Sequence, residues 1–383
     1  MTKENIYLYP TASLSALGSY DQEIWENTKK GRPEFQYFEN GKTPVSVLSE
    51  DQQNELKKIS QENRHYNHLD KTALMAIAAG RALAEKSSFK TNKIGINIGS
   101  SRGATERFEK AHECFLAKGE LPFSTSPTTT LGNIATNLAQ DLGLQGPAIS
   151  HSITCSSALH ALLNAYAFLK SGMLSDFIIG GAEAPLTGFT IEQMRVLKLY
   201  SKRKDNFPCR SLDFLKTDNT LVLGEAASLA HLSTVPSEDA IKVVGMGYAT
   251  EQISHSISLS ADAKCLQRSM KMALTDAGID SVDAVVMHAP GTVKGDKSEL
   301  NAIKKVFSKM PLLTTNKWLI GHTFGASGAM SLEMAVMMLH HNQFIPNPFY
   351  NNENSPERLK SVMVNAVGFG GNAISVILKS QSF

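Results

Sequence analysis

The sequence predicts an α/β protein built from two similar halves, and two observations lead to this prediction. Helical and strand-like spacings of apolar residues alternate along the chain, which is typical of strand–helix–strand units and of mostly parallel sheets covered by helices. Long segments of the second half also repeat the pattern of segments in the first half. We place the join near HLSTVPSEDAIKVVGMG, residues 231–247, and predict halves of residues 1–235 and 236–383.

The first repeated unit is a helix followed by a strand. HLDKTALMAIAAGRALAEKSSFKTNKIGINIGSSRG, residues 68–103, has a helical pattern, a polar loop, an apolar strand and a Gly/Ser-rich turn. SADAKCLQRSMKMALTDAGIDSVDAVVMHAPGT, residues 260–292, repeats this order. Both segments space their apolar residues as a helix does before a short run rich in Ile or Val, so each predicts one helix and one strand.

The second repeated unit is a strand, a sharp turn and an apolar helix. It occurs at residues 151–172, HSITCSSALHALLNAYAFLKSG, and again at residues 316–340, NKWLIGHTFGASGAMSLEMAVMMLH. A strand-like run follows each unit, at residues 176–184 and 362–378. Both helices are apolar on nearly all faces, as buried helices are, so we predict that they form a central layer between two sheets. Cys155 and His322 then lie at equivalent turns that face one core.

Composition and charge exclude several classes of protein. The 383 residues are 42% hydrophobic and 19% charged, as in globular proteins, and the net charge of +2 gives no overall reason to expect nucleic acid as a partner. We expect no membrane span, since no stretch approaches about 20 uncharged apolar residues. The N-terminal segment lacks the apolar run of a signal peptide, so we expect a cytoplasmic protein. The four cysteines are scattered without a C-x-x-C pair, which argues against a disulfide framework or a zinc site.

Cys155 is the first candidate for chemistry. It follows an apparent strand end and precedes a helix, whose free N–H groups and dipole favour a thiolate. The alternative is a small buried residue with no reactivity, which is the commoner role of an isolated cysteine. Cys114 and Cys265 fall inside amphipathic helical patterns, and Cys209 lies in a polar loop, so Cys155 alone has this setting.

His288 and His322 are the second candidates. His288 ends the apolar run DAVVMH, and His322 lies in the Gly-rich segment IGHTFGASGA, at the turn equivalent to that of Cys155. Two strand-end histidines and a helix-start cysteine in a duplicated fold make a coherent group. The Gly clusters IGGAEA and GFGGNA lack the following helix of a dinucleotide-binding motif, and the chain has no P-loop, so we expect no nicotinamide cofactor.

Six ordered segments resemble one family over nearly the whole chain. They are SALGSYDQEIWENTKKG (15–31), LGLQGPAISHSITCSSALHAL (142–162), IIGGAEA (178–184), LVLGEAA (221–227), GHTFGASGA (321–329) and NAVGFGGNA (365–373). The chain resembles the β-ketoacyl-acyl carrier protein synthases of the elongating Cys-His-His type, in the thiolase-like superfamily. This resemblance implies a five-layered αβαβα fold.

The resemblance also implies roles for particular residues. Cys155 would accept an acyl group from a carrier-protein thioester. His288 and His322 would hold the malonyl thioester carbonyl and assist the loss of carbon dioxide, with Lys317 tuning that site. The backbone N–H groups of Cys155 and Phe369 would form an oxyanion hole, and Phe369 would also gate the site. His288 is identified by a gapless match of HAPGTVKGD, residues 288–296, to the family's first histidine segment.

The implied reaction is a decarboxylative Claisen condensation with malonyl-acyl carrier protein, which gives 3-oxoacyl-acyl carrier protein. No metal or organic cofactor is implied, because the substrate is carried on the phosphopantetheine of acyl carrier protein. That carrier is acidic, and Lys202, Arg203 and Lys204 could dock it. The family norm is a dimer, either of identical subunits or with a related ketosynthase subunit.

Three departures from the family pattern accompany this resemblance. The acidic residue usual in the helix after the second histidine is absent at Ser331, and the nearest carboxylate is Glu333, on another helix face. The segment RSLDFLKTDNTL, residues 210–221, is longer than usual and lacks a Gly-Phe pair. Ala289 and Pro290 replace a Gly-Thr pair. These departures suggest a specialised synthase, for example one that makes a polyene.

Two other classes of protein share this fold. A non-catalytic chain-length partner subunit has the same fold, but such subunits resemble the synthase with the cysteine replaced, whereas Cys155 is present here. Thiolases carry a second reactive cysteine near the C-terminus, and no cysteine follows Cys265 in this chain. The sequence therefore favours the synthase.

Overall fold

The computed structural model describes residues 5–87, 89, 91–252, 259–352 and 357–381. The strands are β1 (Ile6–Leu14), β2 (Gln36–Tyr37), β3 (Thr43–Ser46), β4 (Gly95–Gly99), β5 (Ala148–His151), β6 (Asp176–Glu183), β7 (Leu223–Gly224), β8 (Ala226–Ser233), β9 (Ile241–Thr250), β10 (Ala284–Val286), β11 (Leu312–Thr314), β12 (Ser361–Gly368) and β13 (Asn372–Lys379). The helices are α1 (Asp21–Lys30), α2 (Phe38–Gly41), α3 (Glu50–Gln61), α4 (Lys71–Lys86), α5 (Thr105–Lys118), α6 (Thr125–Thr129), α7 (Asn133–Asp141), α8 (Ser157–Lys170), α9 (Gly188–Val196), α10 (Lys264–Ala277), α11 (Val293–Val306), α12 (Lys317–Ile320) and α13 (Ser327–His340).

The first repeated unit folds as the sequence predicts, and the second does so in part. The first gives α4 with β4 and, in the second half, α10 with β10. The second gives β5, α8 and β6 in the first half, and α13 and β12 in the second half. The strand predicted at the start of residues 316–340 is wrong, because Lys317–Ile320 forms the short helix α12 and the strand that corresponds to β5 is β11, which ends at Thr314. Ser88 and Lys90, in the polar loop of the first unit, lie outside the described residues.

The main sheet shows the duplication directly. Its strand order is β11-β10-β12-β13-β9-β1-β8-β6-β4-β5, so each half of the chain supplies five adjacent strands. In each half the outer three strands are parallel and the next two are antiparallel. The halves join where Ile6, Tyr7 and Leu8 of β1 pair with Val243, Lys242 and Ile241 of β9.

The prediction of mostly parallel sheets is wrong. Within the main sheet, parallel pairing is confined to β10 with β11 and β12, and to β4 with β5 and β6. The remaining pairs of this sheet are antiparallel. The turn between β12 and β13, residues 369–371, is far too short for the crossover that a parallel pair requires.

The predicted layers are present, but the two predicted sheets are the two five-stranded halves of one continuous sheet. Helices α8 and α13 pack on each other and against strands of both halves, so they form the central layer. Every residue of α13 from Ser327 to Leu339 is buried. Helices α4 and α7 cover the outer face of the first half, and α10 and α11 cover that of the second half. The arrangement is the five-layered αβαβα fold.

Helices of the described residues are too short or too polar to cross a bilayer. What matters for the site is where the strands end. The turns after β5, β10 and α12 face one region between the two halves, where Cys155, His288 and His322 lie.

Candidate active site

The turn between β5 and α8 carries Cys155, one residue before the N-cap Ser156. The hydroxyl of Ser157 fixes this turn. It accepts a hydrogen bond from the Ile153 amide at 2.8 Å and donates to the Thr154 carbonyl at 2.6 Å. Thr154 has a φ of 50°, which is unusual for a β-branched residue. Local side-chain bonds therefore hold the turn that presents the thiol.

His288 is anchored by a buried carboxylate on α11. The amides of His288 and Ala289 donate to the two oxygens of Glu299, at 3.0 and 2.9 Å. The Asn365 amide group donates to the same carboxylate at 3.2 Å. Glu299 is 1% exposed. It therefore fixes the backbone of the loop that carries His288.

His322 is anchored to a segment of the first half. Its amide donates to the Val222 carbonyl at 2.7 Å, and its own carbonyl accepts from the Gly224 amide at 3.2 Å. The imidazole ring lies 5.2 Å from that of His288, between centroids, and the two planes are nearly perpendicular at 83°. The two histidines are thus adjacent, as the sequence predicts.

These side chains line one cavity of about 1270 Å³. Of the predicted site residues, Cys155, His288, His322 and Phe369 line it, and Phe324 lies among them. Lys317 does not line the cavity. It is 1% exposed, and its ammonium has no hydrogen-bond partner among the described residues. The structure therefore brings the cysteine and both histidines together and places the lysine in the adjoining core.

Both imidazoles are neutral. Burial lowers the pKa of His288 and of His322 well below 6.5, and the nearby Lys317 charge lowers both pKa values further. The Nδ1 atom of each ring is buried without a partner in the part of the chain that the structure describes. A neutral imidazole carries one N–H donor, so each ring can donate to a developing oxyanion.

Lys317 and Glu299 have opposite shifts. Burial lowers the pKa of Lys317 from 10.5 to about 8, and the attraction of Glu299 opposes this shift. Burial raises the pKa of Glu299 from 4.5 to about 7, against its hydrogen bonds from the Ala289 and His288 amides. At neutral pH the lysine therefore remains mainly a cation, and its charge adds to the effect of burial that keeps the neighbouring imidazoles neutral.

The Cys155 sulfur is a thiol at rest. Burial raises its pKa from 9.0 to about 12, and the nearby carboxylate of Glu183 raises it further. The charges of Lys317 and Arg102 act in the opposite direction and are outweighed. Burial therefore opposes the thiolate form that the helix N-terminus favours.

The turn after β12 contacts the Cys155 turn. The Thr154 hydroxyl donates to the Phe369 carbonyl at 3.3 Å. A Cβ at Gly368 would lie 1.9 Å from the Thr154 hydroxyl oxygen and 3.0 Å from the Cys155 nitrogen, so only glycine permits this approach. The segment that contains the Phe369 amide is thus packed against the nucleophile turn.

Glu183 is a buried carboxylate whose role the sequence pattern did not reveal. It accepts hydrogen bonds from the Ser101, Arg102 and Gly325 amides at 2.5, 3.1 and 2.9 Å. It therefore ties the loop after β4 to the loop before α13. The available signal for Glu183 was an acidic residue inside the apolar run IIGGAEA. The available signal for Glu299 was an acidic residue shortly after the first histidine loop.

The acidic residue of α13 lies away from the site. Glu333 is 2% exposed and points toward β1, where the hydroxyls of Ser13 and Thr11 neighbour it. Burial raises its pKa from 4.5 to about 7. Neither Glu333 nor Ser331 lines the large cavity. The helix-face assignment made from the sequence agrees with this placement.

The divergent segment 210–221 is tied to the His288 loop by a buried ion pair. Lys216 lies 2.7 Å from the Asp296 carboxylate, and both side chains are at most 3% exposed. The Leu212 and Gly291 amides also donate to Asp296, at 3.1 and 3.0 Å. Three hydrogen-bonded groups on one carboxylate fix the segment against the site.

Two profiles of one family match the chain. The profile described as "Beta-ketoacyl synthase, N-terminal domain" matches residues 11–236, and "Beta-ketoacyl synthase, C-terminal domain" matches residues 242–351. Together with the thiol and paired histidines in one cavity, these matches decide the family. The chain belongs to the β-ketoacyl synthase family. Among the described residues, no group of three His, Cys, Asp or Glu side chains is placed to hold a metal ion.

Named relatives agree with this assignment. The 3-oxoacyl-[acyl-carrier-protein] synthase 2 of Vibrio cholerae is 30% identical, over 79% of this chain and 81% of its own length. The enzyme of the same name from Staphylococcus aureus is 27% identical over 97% of both chains. A solved structure described as "The ishigamide ketosynthase/chain length factor" superposes with a TM-score of 0.86, at 18% identity over the whole of both chains, which establishes the fold. The prediction of a condensing acyltransferase is confirmed.

Proposed function

We propose that the protein joins an acyl group held on Cys155 to the two-carbon unit of malonyl-acyl carrier protein, with loss of carbon dioxide. The product is 3-oxoacyl-acyl carrier protein. The observation that carries the proposal is the single cavity that holds a buried thiol and two neutral imidazoles, with ring centroids 5.2 Å apart. A thiol can be acylated and later released, and two N–H donors can stabilise an enolate.

Acylation comes first. The Cys155 sulfur adds to the carbonyl carbon of an acyl thioester, and the carrier thiol leaves with the proton that Cys155 gives up. The backbone amides of Cys155 and Phe369 donate to the oxyanion of the tetrahedral intermediate. Contact between the two turns supports this role, since the Thr154 hydroxyl bonds to the Phe369 carbonyl. We also propose that the Phe369 ring gates entry to the cavity.

Decarboxylation follows in the same cavity. The bond between the malonyl carboxylate and its methylene carbon breaks, carbon dioxide leaves, and the electron pair forms an enolate at the thioester. His288 and His322 donate to the enolate oxygen. A positively charged imidazolium would hold the enolate too tightly. Burial and the charge of Lys317 both lower the imidazole pKa values and so keep the rings neutral.

Carbon–carbon bond formation completes the reaction. The enolate carbon attacks the acyl carbonyl on Cys155, and the sulfur leaves and takes up a proton. The pKa of about 12 at Cys155 favours this reprotonation, because a buried thiolate is unstable there. The two halves divide these tasks: residues 1–235 carry the nucleophile, and residues 236–383 carry both histidines and Lys317.

The partner we propose is acyl carrier protein, which presents the substrate on phosphopantetheine, and no further cofactor is proposed. The cavity rim supports an acidic partner. Its cationic side chains are Lys42, Arg195, Lys198, Lys202, Arg203 and Lys294. Lys204 does not line the cavity, and Arg203 is paired with Asp205. Of the three basic residues named from the sequence, Lys202 is therefore the best candidate for docking.

We further propose a dimer, either of identical chains or with a related ketosynthase subunit, and a cytoplasmic location. The free cysteines Cys114, Cys155, Cys209 and Cys265 suit a reducing compartment. The divergent segment 210–221 and the Ala289-Pro290 pair support a specialised pathway, such as polyene synthesis.

A non-catalytic chain-length subunit is the alternative function. The superposable ishigamide structure is named for a ketosynthase together with such a factor, so this fold is compatible with both roles. The presence of Cys155 beside both histidines favours the catalytic role.

Intact-mass measurement decides between the two. The protein and its Cys155→Ala variant are each mixed with acyl carrier protein thioesters of several chain lengths. A mass gain of one acyl group on the wild type alone would support the synthase, and malonyl-acyl carrier protein should then discharge it as a 3-oxoacyl product. Folded wild type that gains no mass from any donor would favour the chain-length subunit.

A further inference from the structure

Lys198, Asn219 and Val293 line the cavity and are exposed or half-buried, so they lie at its rim. We call this part of the rim the cavity mouth. Asn219 lies in the divergent segment 210–221. Its side-chain NH₂ donates to the Lys198 carbonyl at 2.9 Å, and its side-chain oxygen accepts from the Val293 amide at 2.9 Å. Lys198 and Val293 both line the cavity, on segments that are 95 positions apart in the chain. One amide group thus links two sides of the rim.

Both partners need such a bond. Val293 is the first residue of α11, and its amide has no acceptor within the helix, since the N-cap Thr292 accepts from Gly295 instead. Lys198 has a φ of 57°, the left-handed conformation that is unfavourable for a lysine. Asn219 therefore satisfies a free helix donor and holds a strained residue in place with the same group.

The neighbouring residue strengthens the link. The Thr220 amide and hydroxyl both contact the Gly291 carbonyl, at 2.9 and 2.8 Å. Leu221 donates to the Leu199 carbonyl at 3.2 Å. The segment from Asn219 to Leu221 therefore lies between the loop that follows His288 and the loop that follows α9, and it fixes their separation.

We propose that Asn219 is a positioning residue that sets the width of the cavity mouth and holds it ready for the pantetheine arm of the substrate. This proposal rests on the proposed function, because the arm is the group that must pass between the two sides of the rim. A mouth that is already ordered loses less entropy when the arm binds. Asn219 thus affects the binding of the arm and not the chemistry at Cys155.

The test uses a probe that needs no catalysis. A pantetheine chloroacetamide alkylates a thiol, as the sulfur displaces chloride and its proton leaves with that ion. The protein, Asn219→Ala and Asn219→Asp are labelled at increasing probe concentration. Attachment at Cys155 is followed by peptide mass, which separates it from attachment at the other free cysteines. Iodoacetamide, which has no arm, measures the reactivity of the same thiol. Asn301→Ala is the matched control, because Asn301 donates to the Ala261 carbonyl at 3.2 Å and does not line the cavity.

We expect Asn219→Ala to raise the half-saturating probe concentration about tenfold, since two hydrogen bonds are lost. Asn219→Asp keeps the acceptor for the Val293 amide, so its half-saturating probe concentration should lie between those of wild type and Asn219→Ala. The limiting labelling rate and the iodoacetamide rate should stay within about twofold of wild type, and Asn301→Ala should match wild type. An unchanged half-saturating concentration in Asn219→Ala, or an equal fall in both labelling rates, would overturn the proposal. Wild type that is labelled by the probe but never acylated by thioesters would instead refute the proposed function.

Discussion

Replacing Glu333 by glutamine tests whether the buried carboxylate of α13 is a functional substitute for the missing acidic residue at Ser331. The side chain is 2% exposed, lies beside the hydroxyls of Ser13 and Thr11, and is outside the large cavity. Glutamine has nearly the same shape and can still accept from a hydroxyl. We therefore expect Glu333→Gln to be acylated at Cys155 at the wild-type rate.

The same substitution has a calculable effect on stability. Burial raises the pKa of Glu333 from 4.5 to about 7, so between these values the folded protein holds a proton that the unfolded chain has released. The free energy of unfolding therefore falls as pH rises through this window. At 1.36 kcal/mol for each pKa unit, Glu333 lowers the stability by about 3 kcal/mol at pH 8 relative to pH 4. Glutamine does not titrate, so Glu333→Gln removes this pH dependence. Glu183 and Glu299 are common to both proteins, so the difference isolates Glu333.

Melting temperatures of the two proteins, measured from pH 4.5 to pH 8, supply the assay. Trp25 lines a small cavity with Glu333, so tryptophan fluorescence reports on this region. We expect nearly equal melting temperatures at pH 4.5 and an advantage for Glu333→Gln of about 4 °C at pH 8, given the unfolding entropy of a chain of this length. Parallel curves across the pH range would refute the raised pKa. A loss of acylation or condensation in folded Glu333→Gln would refute the separation of Glu333 from the site.

Three further predictions concern the site itself. The pKa of about 12 at Cys155 predicts that its alkylation by iodoacetamide rises about tenfold per pH unit from pH 7 to pH 10, followed by peptide mass, whereas a plateau below pH 8 would indicate a thiolate. His288→Ala and His322→Ala should still be acylated, but their rate of condensation should fall at least about 100-fold, measured as carbon dioxide release. An equal fall in the rate of acylation would instead place the rings in the first step. Lys202→Glu should raise the KM for carrier-bound substrate about tenfold at low salt but leave the KM for acyl-pantetheine unchanged. Lys271→Glu, at another exposed lysine, is the control. Equal effects on both substrates would exclude a docking role.

Much of the fold was predictable because the two halves repeat. The helical spacing before IGINIG recurs before AVVM, and the apolar helix after His322 is buried as its composition indicates. The apolar helix after Cys155 is buried on one side only. The strand pairing was not predictable in the same way. Alternation of helices and strands suggests parallel pairing, but the short turn between β12 and β13 forces antiparallel pairing, and the sequence pattern alone does not show which strands become neighbours.

The grouping was predictable from the equivalent turns of Cys155 and His322 and from the strand end at His288, but the electrostatics of these residues were not. A helix start suggests a thiolate at Cys155, and only the depth of burial in the folded chain shows that the thiol form prevails. Glu183 and Glu299 were missed for a related reason. Glu183 accepts from amides of loops that are distant in the sequence, whereas Glu299 accepts from the two amides of the nearby His288 loop. In both cases the donors are backbone groups, which no side-chain pattern identifies in advance.

The buried charges beside the cavity form a consistent set. Lys317 has no hydrogen-bond partner in the described residues, yet Glu299 favours its charged form, while the same carboxylate holds the His288 loop through two backbone amides. Removing Glu299 would therefore disturb two properties together: the position of His288 and the charge of Lys317, which adds to burial in keeping both imidazoles neutral. In the decarboxylation step proposed above, the two imidazoles are neutral donors in fixed positions, so Glu299 supports both of these conditions.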